Sequence, residues 1–219
     1  MFIAIEGIDG SGKGTHAKLL NRWLKEKGYD TFLTTEPTTS EIGAVLREGL
    51  KHGKFDSKTE ALLFAADRSE HLEKIRSNLG KGKIVITERY FYSSIAYQGA
   101  SGVSIRWISE INRFAPRPDL TLLLDIEPEE GLQRISSKNS LRRSTREKEY
   151  FEKREFLSKV RAIYLDLKRE YDDITVIGAS GPMDDVQTAI RRKVSHALSA
   201  MKKKKKKTKQ KGLGEYFSA

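Results

Sequence analysis

Five short apolar runs punctuate the chain: FIAIEG (2–7), DTFLTT (30–35), KIVITE (83–88), LTLLLDI (120–126) and ITVIG (174–178). They are rich in Ile, Val, Leu and Thr, and most lack polar alternation, which is the pattern of strands buried on both faces of a parallel sheet. Between them lie stretches with helical periodicity. THAKLLNRWLKEKG (15–28) places Ala17, Leu20, Trp23 and Leu24 on one stripe and stops at Gly28. Residues 59–82, 127–135 and 152–171 behave in the same way, and Pro182 opens a last helix over about 182–201 that runs into lysines. Strand and helix alternating this often predict one α/β domain, a parallel sheet with helices on both faces. No internal repeat is visible.

Length and composition agree with that picture. A chain of 219 residues with 37% hydrophobic and 32% charged residues has enough apolar material for one substantial core. No apolar run approaches the roughly 20 residues that span a bilayer, and the N-terminal apolar stretch is too short for a signal peptide. The absence of cysteine rules out disulfides and thiolate metal sites, so a soluble cytoplasmic protein is expected.

Charge changes the picture at one end only. Residues 202–219 hold eight lysines and one glutamate, which leaves residues 1–201 with 33 basic against 29 acidic residues, +4 of the chain's +11. The basic character belongs to the tail and argues for an anionic partner of the tail, not for a nucleic-acid-binding fold.

The chemistry begins after the first strand. GIDGSGKGT carries the glycine spacing of a phosphate-binding loop, with Gly7, Gly10, Gly12 and Lys13 between a strand and a helix. Backbone N–H groups must converge on phosphate oxygens with no side chain in the way, the helix presents its positive end, and the lysine neutralises terminal phosphate charge. Gly7, Ile8, Asp9, Gly10, Ser11, Gly12, Lys13, Gly14 and Thr15 are thus the candidate ATP-binding residues. The Ser or Thr that usually follows the lysine and ligates magnesium is here Gly14, with Thr15 behind it. A second cluster of positive charge is needed if two anionic groups are to react. Arg47, Arg68, Arg89, Arg142, Arg143 and Arg146 are the candidates, although an isolated arginine is more often a solvated surface charge.

Six separated motifs sharpen this: IEGIDGSGKGT, TEPTTSEIGAVLREGL, LLFAADRSEH, ERYFYSSIAYQG, PDLTLLLDI and REFLSKVRAIYLDL. Across about residues 1–200 the chain resembles the thymidylate kinases among the P-loop nucleoside monophosphate kinases. The resemblance implies a three-layer fold with a five-stranded parallel sheet, a short lid at about 137–150, a homodimer, and phosphorylation of dTMP by ATP with Mg2+. It implies that Asp9 lies near the acceptor sugar and phosphate, that Phe64 stacks on thymine and Arg68 bonds a thymine carbonyl. It further implies that Arg47 and Arg89 meet acceptor phosphate, that Tyr97 excludes a ribose 2′-hydroxyl, and that Glu36, Ser94 and Gln98 belong to the acceptor site. Lys13, Arg89, Asp9 and the lid arginines Arg142, Arg143 and Arg146 are the implied catalytic set. Without the resemblance, Phe64 and Tyr97 read as core aromatics.

Two further departures accompany Gly14. Thr35 stands where many relatives carry arginine, and Glu88, the implied metal contact, stands where they usually carry aspartate. The four histidines, His16, His52, His71 and His196, sit among polar helical residues and are expected at the solvated surface. Two rival readings use the same features: a kinase for another monophosphate such as dUMP or AMP, and a P-loop ATPase that binds nucleic acid through its basic tail.

The tail is a separate matter. The lysine stretch is like-charged and devoid of apolar residues, which predicts a disordered linker over 201–209, with residues 202–209 reaching about 26 Å when extended. QKGLGEYF, with Gln210, Leu213, Tyr216 and Phe217 at its marked positions, resembles the peptides that bind PCNA-type sliding clamps. One 3₁₀-like turn brings such positions to a common side, so residues 210–219 form a candidate clamp-binding peptide, with the lysines adding weak attraction to DNA.

Overall fold

The computed structural model describes residues 1–138 and 146–216, with side chains described outside 138, 146–150 and 204–216. Five parallel strands form one sheet in the order β2-β3-β1-β4-β5. They are β1 (Phe2–Glu6), β2 (Thr31–Thr35), β3 (Ile84–Glu88), β4 (Leu120–Asp125) and β5 (Ile174–Gly178). All five apolar runs are therefore strands. β1 and β4 lie in the interior of the order, and every residue of β1 is buried. The edge strands β2 and β5 are partly exposed, and β2, with three Thr in five residues, is the least apolar of the five.

The helices are α1 (Lys13–Glu26), α2 (Glu41–His52), α3 (Ser57–Gly80), α4 (Phe91–Ala100), α5 (Ile105–Ile111), α6 (Pro128–Lys138), α7 (Arg146–Glu170) and α8 (Met183–Tyr216). Local chemistry sets several of their starts. The Asp56 side chain accepts from the N–H groups of Lys58 and Thr59 to cap α3, and Ser40 accepts from Gly43 N to cap α2. A single core joins the sheet to these helices through Ile3, Ile5, Leu20, Leu72, Val85, Leu122, Val160 and Ile190. At about 25 cal/mol per Å2, burial of such side chains is the dominant favourable contribution to folding.

α8 differs from expectation. Its backbone is helical to Tyr216, through the lysine run whose composition predicts no structure. Val186, Ile190 and Val194 anchor its first turns in the core, so no new nucleus is needed, and Lys and Gln extend an existing helix readily. Lys202 is held at the body, donating to Tyr29 Oη at 3.2 Å. Phe217 lies outside the described residues, as do the side chains of Gln210, Leu213 and Tyr216.

The strand order fixes where a ligand can bind. The chain leaves β1 toward one edge of the sheet and leaves β3 toward the other, which opens a crevice beyond their carboxyl ends. Register aligns Ile5 with Glu88 and Thr35 with Glu88. The loops carrying Gly7–Gly12, Glu36–Thr38 and Arg89 thus emerge side by side.

Candidate active site

The loop after β1 takes its shape from glycine at positions where no other residue fits. Gly7, Gly10 and Gly12 have φ of 141°, 84° and 89°. A Cβ on Gly7 would come 2.4 Å from Leu124 O, and one on Gly10 2.2 Å from Gly131 O. The chain passes so close to β4 and α6 that a side chain is excluded on packing grounds as well as torsional ones. Gly12 caps α1 without a side-chain hydrogen bond, leaving the first N–H groups of the helix directed into the crevice.

Lys13 is buried and folded back on its own loop. Its Nζ donates to Gly7 O at 3.0 Å and Ile8 O at 2.8 Å, and stands 3.8 Å from Asp9 Oδ1. Burial, reinforced by the nearby Arg89 guanidinium, pulls its pKa down to about 7. Asp9, although desolvated, is held below the usual carboxylate range by Arg89 and Lys13.

Arg89 follows β3 in the left-handed region, φ 67°, a conformation costly for an arginine and maintained by what surrounds it. Its backbone N–H donates to Ile5 O. The guanidinium donates to Ser93 Oγ at 3.1 Å and Tyr97 Oη at 3.3 Å, pairs with Asp9, and lies 4.8 Å from the Tyr97 ring centroid. Burial raises the Tyr97 phenol to about 12, so it remains a neutral donor and acceptor.

Beneath this pair sits Glu6, fully buried at the end of β1. Its carboxylate accepts from Tyr90 N at 2.8 Å, Ser93 Oγ at 2.6 Å and Tyr164 Oη at 2.9 Å. Desolvation raises its pKa. Glu6 ties the Arg89 turn to α7, and its signal in the sequence was one charged residue inside an otherwise apolar strand.

Two cavities open here. The larger, about 470 Å3, brings together Asp9, Glu36, Phe64 and Arg68 with Arg89, Ser94, Tyr97 and Gln98. Glu60 and Phe156, which sequence reasoning did not single out, also line it. The second, about 420 Å3, lies along Gly10–Thr15 and is bounded by Glu88, Arg134 and, again, Asp9 and Arg89. The Asp9–Arg89 pair is the wall common to both.

Within the larger cavity the buried Arg68 is heavily engaged. Its Nε and Nη2 donate to Glu36 Oε2 at 2.9 and 2.7 Å, Nη2 also to Ser94 Oγ at 3.2 Å, and Nη1 to Asn112 Oδ1. Four of the five guanidinium N–H groups are thereby used, and one on Nη1 remains. Gln98 Nε2 donates to Glu60 Oε2 at 3.3 Å, while the buried Gln98 Oε1 has no partner among the described residues. A buried acceptor of that kind is suited to a ligand N–H.

Arg47 does not line either cavity. Its Nη1 donates to Thr38 O, bracing the loop whose Thr38 is held from the other side by Asp67. The Glu36–Pro37 peptide in this loop is cis. Arg142 and Arg143 lie outside the described residues, and Arg146 opens α7 with its side chain undescribed.

Two histidines correct the sequence reading. His71 is buried, its Nδ1 3.0 Å from Glu36 Oε1 and its Nε2 2.7 Å from Thr34 Oγ1. His16 is buried beside Gly12, its Nδ1 3.0 Å from Gln187 Oε1. Each sits on the inward face of its helix and is satisfied by a partner on another element, so a polar local context did not mean a solvated one. His52 and His196 are exposed as expected.

Among the described residues no group of three or more His, Cys, Asp or Glu converges to hold a metal unaided. Two carboxylates line the second cavity: that of Asp9 is taken up by Arg89 and Lys13, while that of Glu88 faces Gly14, where a Cβ would meet Oε2 at 2.8 Å. One carboxylate with room for phosphate and water oxygens fits Mg2+, which is held by few protein ligands.

Comparison with known proteins agrees with this geometry. The family model described as Thymidylate kinase matches residues 5–190. A probable thymidylate kinase of Thermococcus onnurineus is 44% identical over 209 residues, covering 90% of this chain and 98% of that protein. One from Pyrococcus horikoshii is 45% identical over 204 residues, covering 90% and 97%. Another, from Pyrobaculum calidifontis, is 43% identical over 205 residues, covering 93% and 100%.

Proposed function

Because the chain belongs to the thymidylate kinase family, we propose that it transfers the γ-phosphoryl group of ATP to the 5′-phosphate of dTMP, giving dTDP and ADP. The observation that carries the reading is the shared wall: two cavities meet at Asp9 and Arg89, one rimmed by the glycine loop and the other by Phe64, Arg68, Tyr97 and Gln98. Donor and acceptor phosphates entering from the two sides would be brought together there.

The acceptor oxygen is already anionic near neutral pH, so no general base is required. Catalysis is positioning and charge neutralisation. In this reading the N–H groups of Gly10–Thr15 and Lys13 bind the donor phosphates, with Lys13 leaving Gly7 O and Ile8 O to do so. Arg89, held by Ser93 and Tyr97, binds the acceptor phosphate, and Asp9 keeps that guanidinium aimed across the wall. Phe64 stacks on the base, the free Nη1–H of Arg68 meets a thymine carbonyl, and Gln98 Oε1 accepts the base N–H. Tyr97 fills the space of a 2′-hydroxyl. Arg142, Arg143 and Arg146 close from the lid, and Arg47 acts on the acceptor side through the Thr38 loop. Mg2+, which spreads charge over the transferring phosphoryl oxygens, is assigned to Glu88.

The test is Lys13→Ala. Turnover should vanish while circular dichroism and the unfolding midpoint stay near those of the parent; near-normal activity would overturn the mechanism.

We further assign residues 210–219, with Gln210, Leu213, Tyr216 and Phe217 as anchors, to a PCNA-type sliding clamp, and take the homodimer from the family. Support for the clamp reading is the terminal position of the motif behind the lysines, which add attraction to DNA at a clamp. A peptide of residues 202–219 should bind the organism's clamp and lose binding when it carries Tyr216→Ala and Phe217→Ala. Equal binding by both peptides, or binding by neither, removes the assignment.

A further inference from the structure

Gly14 and Glu88 are separated by 74 positions, and each departs from the usual residue of its motif. Gly14 lies in the first turn of α1 with an ordinary helical backbone, so no positive φ calls for glycine. Glycine there costs about 1 kcal/mol of helix stability relative to alanine, and some other constraint must favour it. The constraint is visible across the crevice. A Cβ at position 14 would lie 2.8 Å from Glu88 Oε2, 3.4 Å from its Cδ and 3.5 Å from Oε1. The carboxylate occupies the space into which a side chain at 14 would project.

The backbone of Glu88 cannot give way. Glu88 ends β3 in register with Ile5 on one side and Thr35 on the other, and its carbonyl accepts from Glu36 N at 3.0 Å. Arg89, the next residue, is fixed by its bond to Ile5 O. Only the side chain is free to adapt. Its carboxylate accepts no hydrogen bond from any described residue, yet it lines the phosphate cavity with Lys13 and Thr15. A carboxylate that accepts no protein hydrogen bond and lines the loop cavity is a ready oxygen ligand for a cation.

We propose that Gly14 and Glu88 form one coupled device, in which the longer carboxylate takes over the metal contact that a hydroxyl after the loop lysine usually provides. Glycine is required so that the carboxylate can approach the loop, and glutamate is required because a shorter acid would not cross the gap left by glycine. The device exchanges a neutral ligand for an anionic one. This inference rests on the kinase reading only in that a metal–nucleotide occupies the second cavity.

Binding of Mn2+ in the presence of ADP, followed by electron paramagnetic resonance of the free ion, tests it with five full-length proteins. Gly14→Ser alone and Glu88→Asp alone should each weaken metal binding about tenfold, the scale of coupling between residues in contact. Gly14→Ser combined with Glu88→Asp should recover to within about threefold of the parent, as expected when two coupled changes restore one interaction. The control is Gly14→Ala combined with Glu88→Asp, which relieves the clash but supplies no hydroxyl and should stay weak. Metal-free ADP binding and the unfolding midpoint verify that each variant is folded. Parent-like Mn2+ affinity in Gly14→Ser, losses in the Ser/Asp double variant that equal the product of the single losses, or equal recovery by the Ala/Asp pair would each overturn the proposal. Since dTMP takes no part in the measurement, an error in the assigned acceptor would leave these results unchanged.

Discussion

Lys13 offers a prediction whose size follows from its surroundings. An exposed lysine near its ordinary pKa of 10.5 is charged throughout the neutral range, but burial and Arg89 bring this one to about 7. Nucleotide phosphate arriving at the loop favours the ammonium form, so binding must draw in a proton wherever the free protein lacks it. At pH 8 a group of pKa 7 is about one-tenth protonated, so saturation with ADP should take up about 0.9 proton; at pH 6 the uptake should fall to about 0.1. Calorimetric titration of ADP at each pH, in two buffers of different ionisation enthalpy, gives the proton count, and the same titration on Lys13→Met removes the ligand's own contribution. The stability consequence has a definite sign. Between about pH 7 and 10.5 the unfolded chain binds a proton that the folded chain does not, so this group makes stability rise with pH across that window. Lys13→Met should flatten that rise. A parent protein that takes up no more protons at pH 8 than Lys13→Met would refute the reasoning.

Two other sites give sharp expectations. Glu36→Gln leaves the buried Arg68 guanidinium without its anion and offers one acceptor oxygen where Arg68 and His71 use two, and loss of one partner from a buried pair costs about 3–5 kcal/mol; chemical denaturation should show the drop, and a change below about 1 kcal/mol, the scale of an exposed pair, would mean that the network is not structural. Tyr97→Ala opens the larger cavity beside Arg89 and should raise the kcat/KM for the ribonucleotide counterpart of dTMP relative to dTMP itself, whereas an unchanged ratio would refute the sugar-excluding role proposed for this ring.

How far the sequence foretold the molecule depended on how local each determinant is. The strands were visible because interior parallel strands are apolar on both faces, and the phosphate loop because its chemistry needs glycines at fixed spacing. Phe64 and Tyr97 were assigned by resemblance alone, since an aromatic residue that lines a cavity looks the same in sequence as one that fills a core. The buried polar residues were hidden for a different reason: Glu6 is satisfied by Tyr164, His16 by Gln187 and His71 by Glu36, partners 158, 171 and 35 positions away. Gly14 and Glu88 were each noticed as departures, but only the pairing of β1 with β3 brings them face to face. α8 reaches Tyr216 because its anchored first turns outweigh the repulsion of the lysines that follow, a balance that composition alone does not express.

The central claim is that the two cavities meeting at Asp9 and Arg89 select dTMP as phosphoryl acceptor. Initial rates of ADP release, measured by a coupled assay on the full chain with ATP and Mg2+ and a panel of dTMP, dUMP and AMP, test it most directly. The highest kcat/KM should belong to dTMP. A higher value for AMP, or ATP hydrolysis that depends on added DNA and needs no monophosphate, would contradict the account.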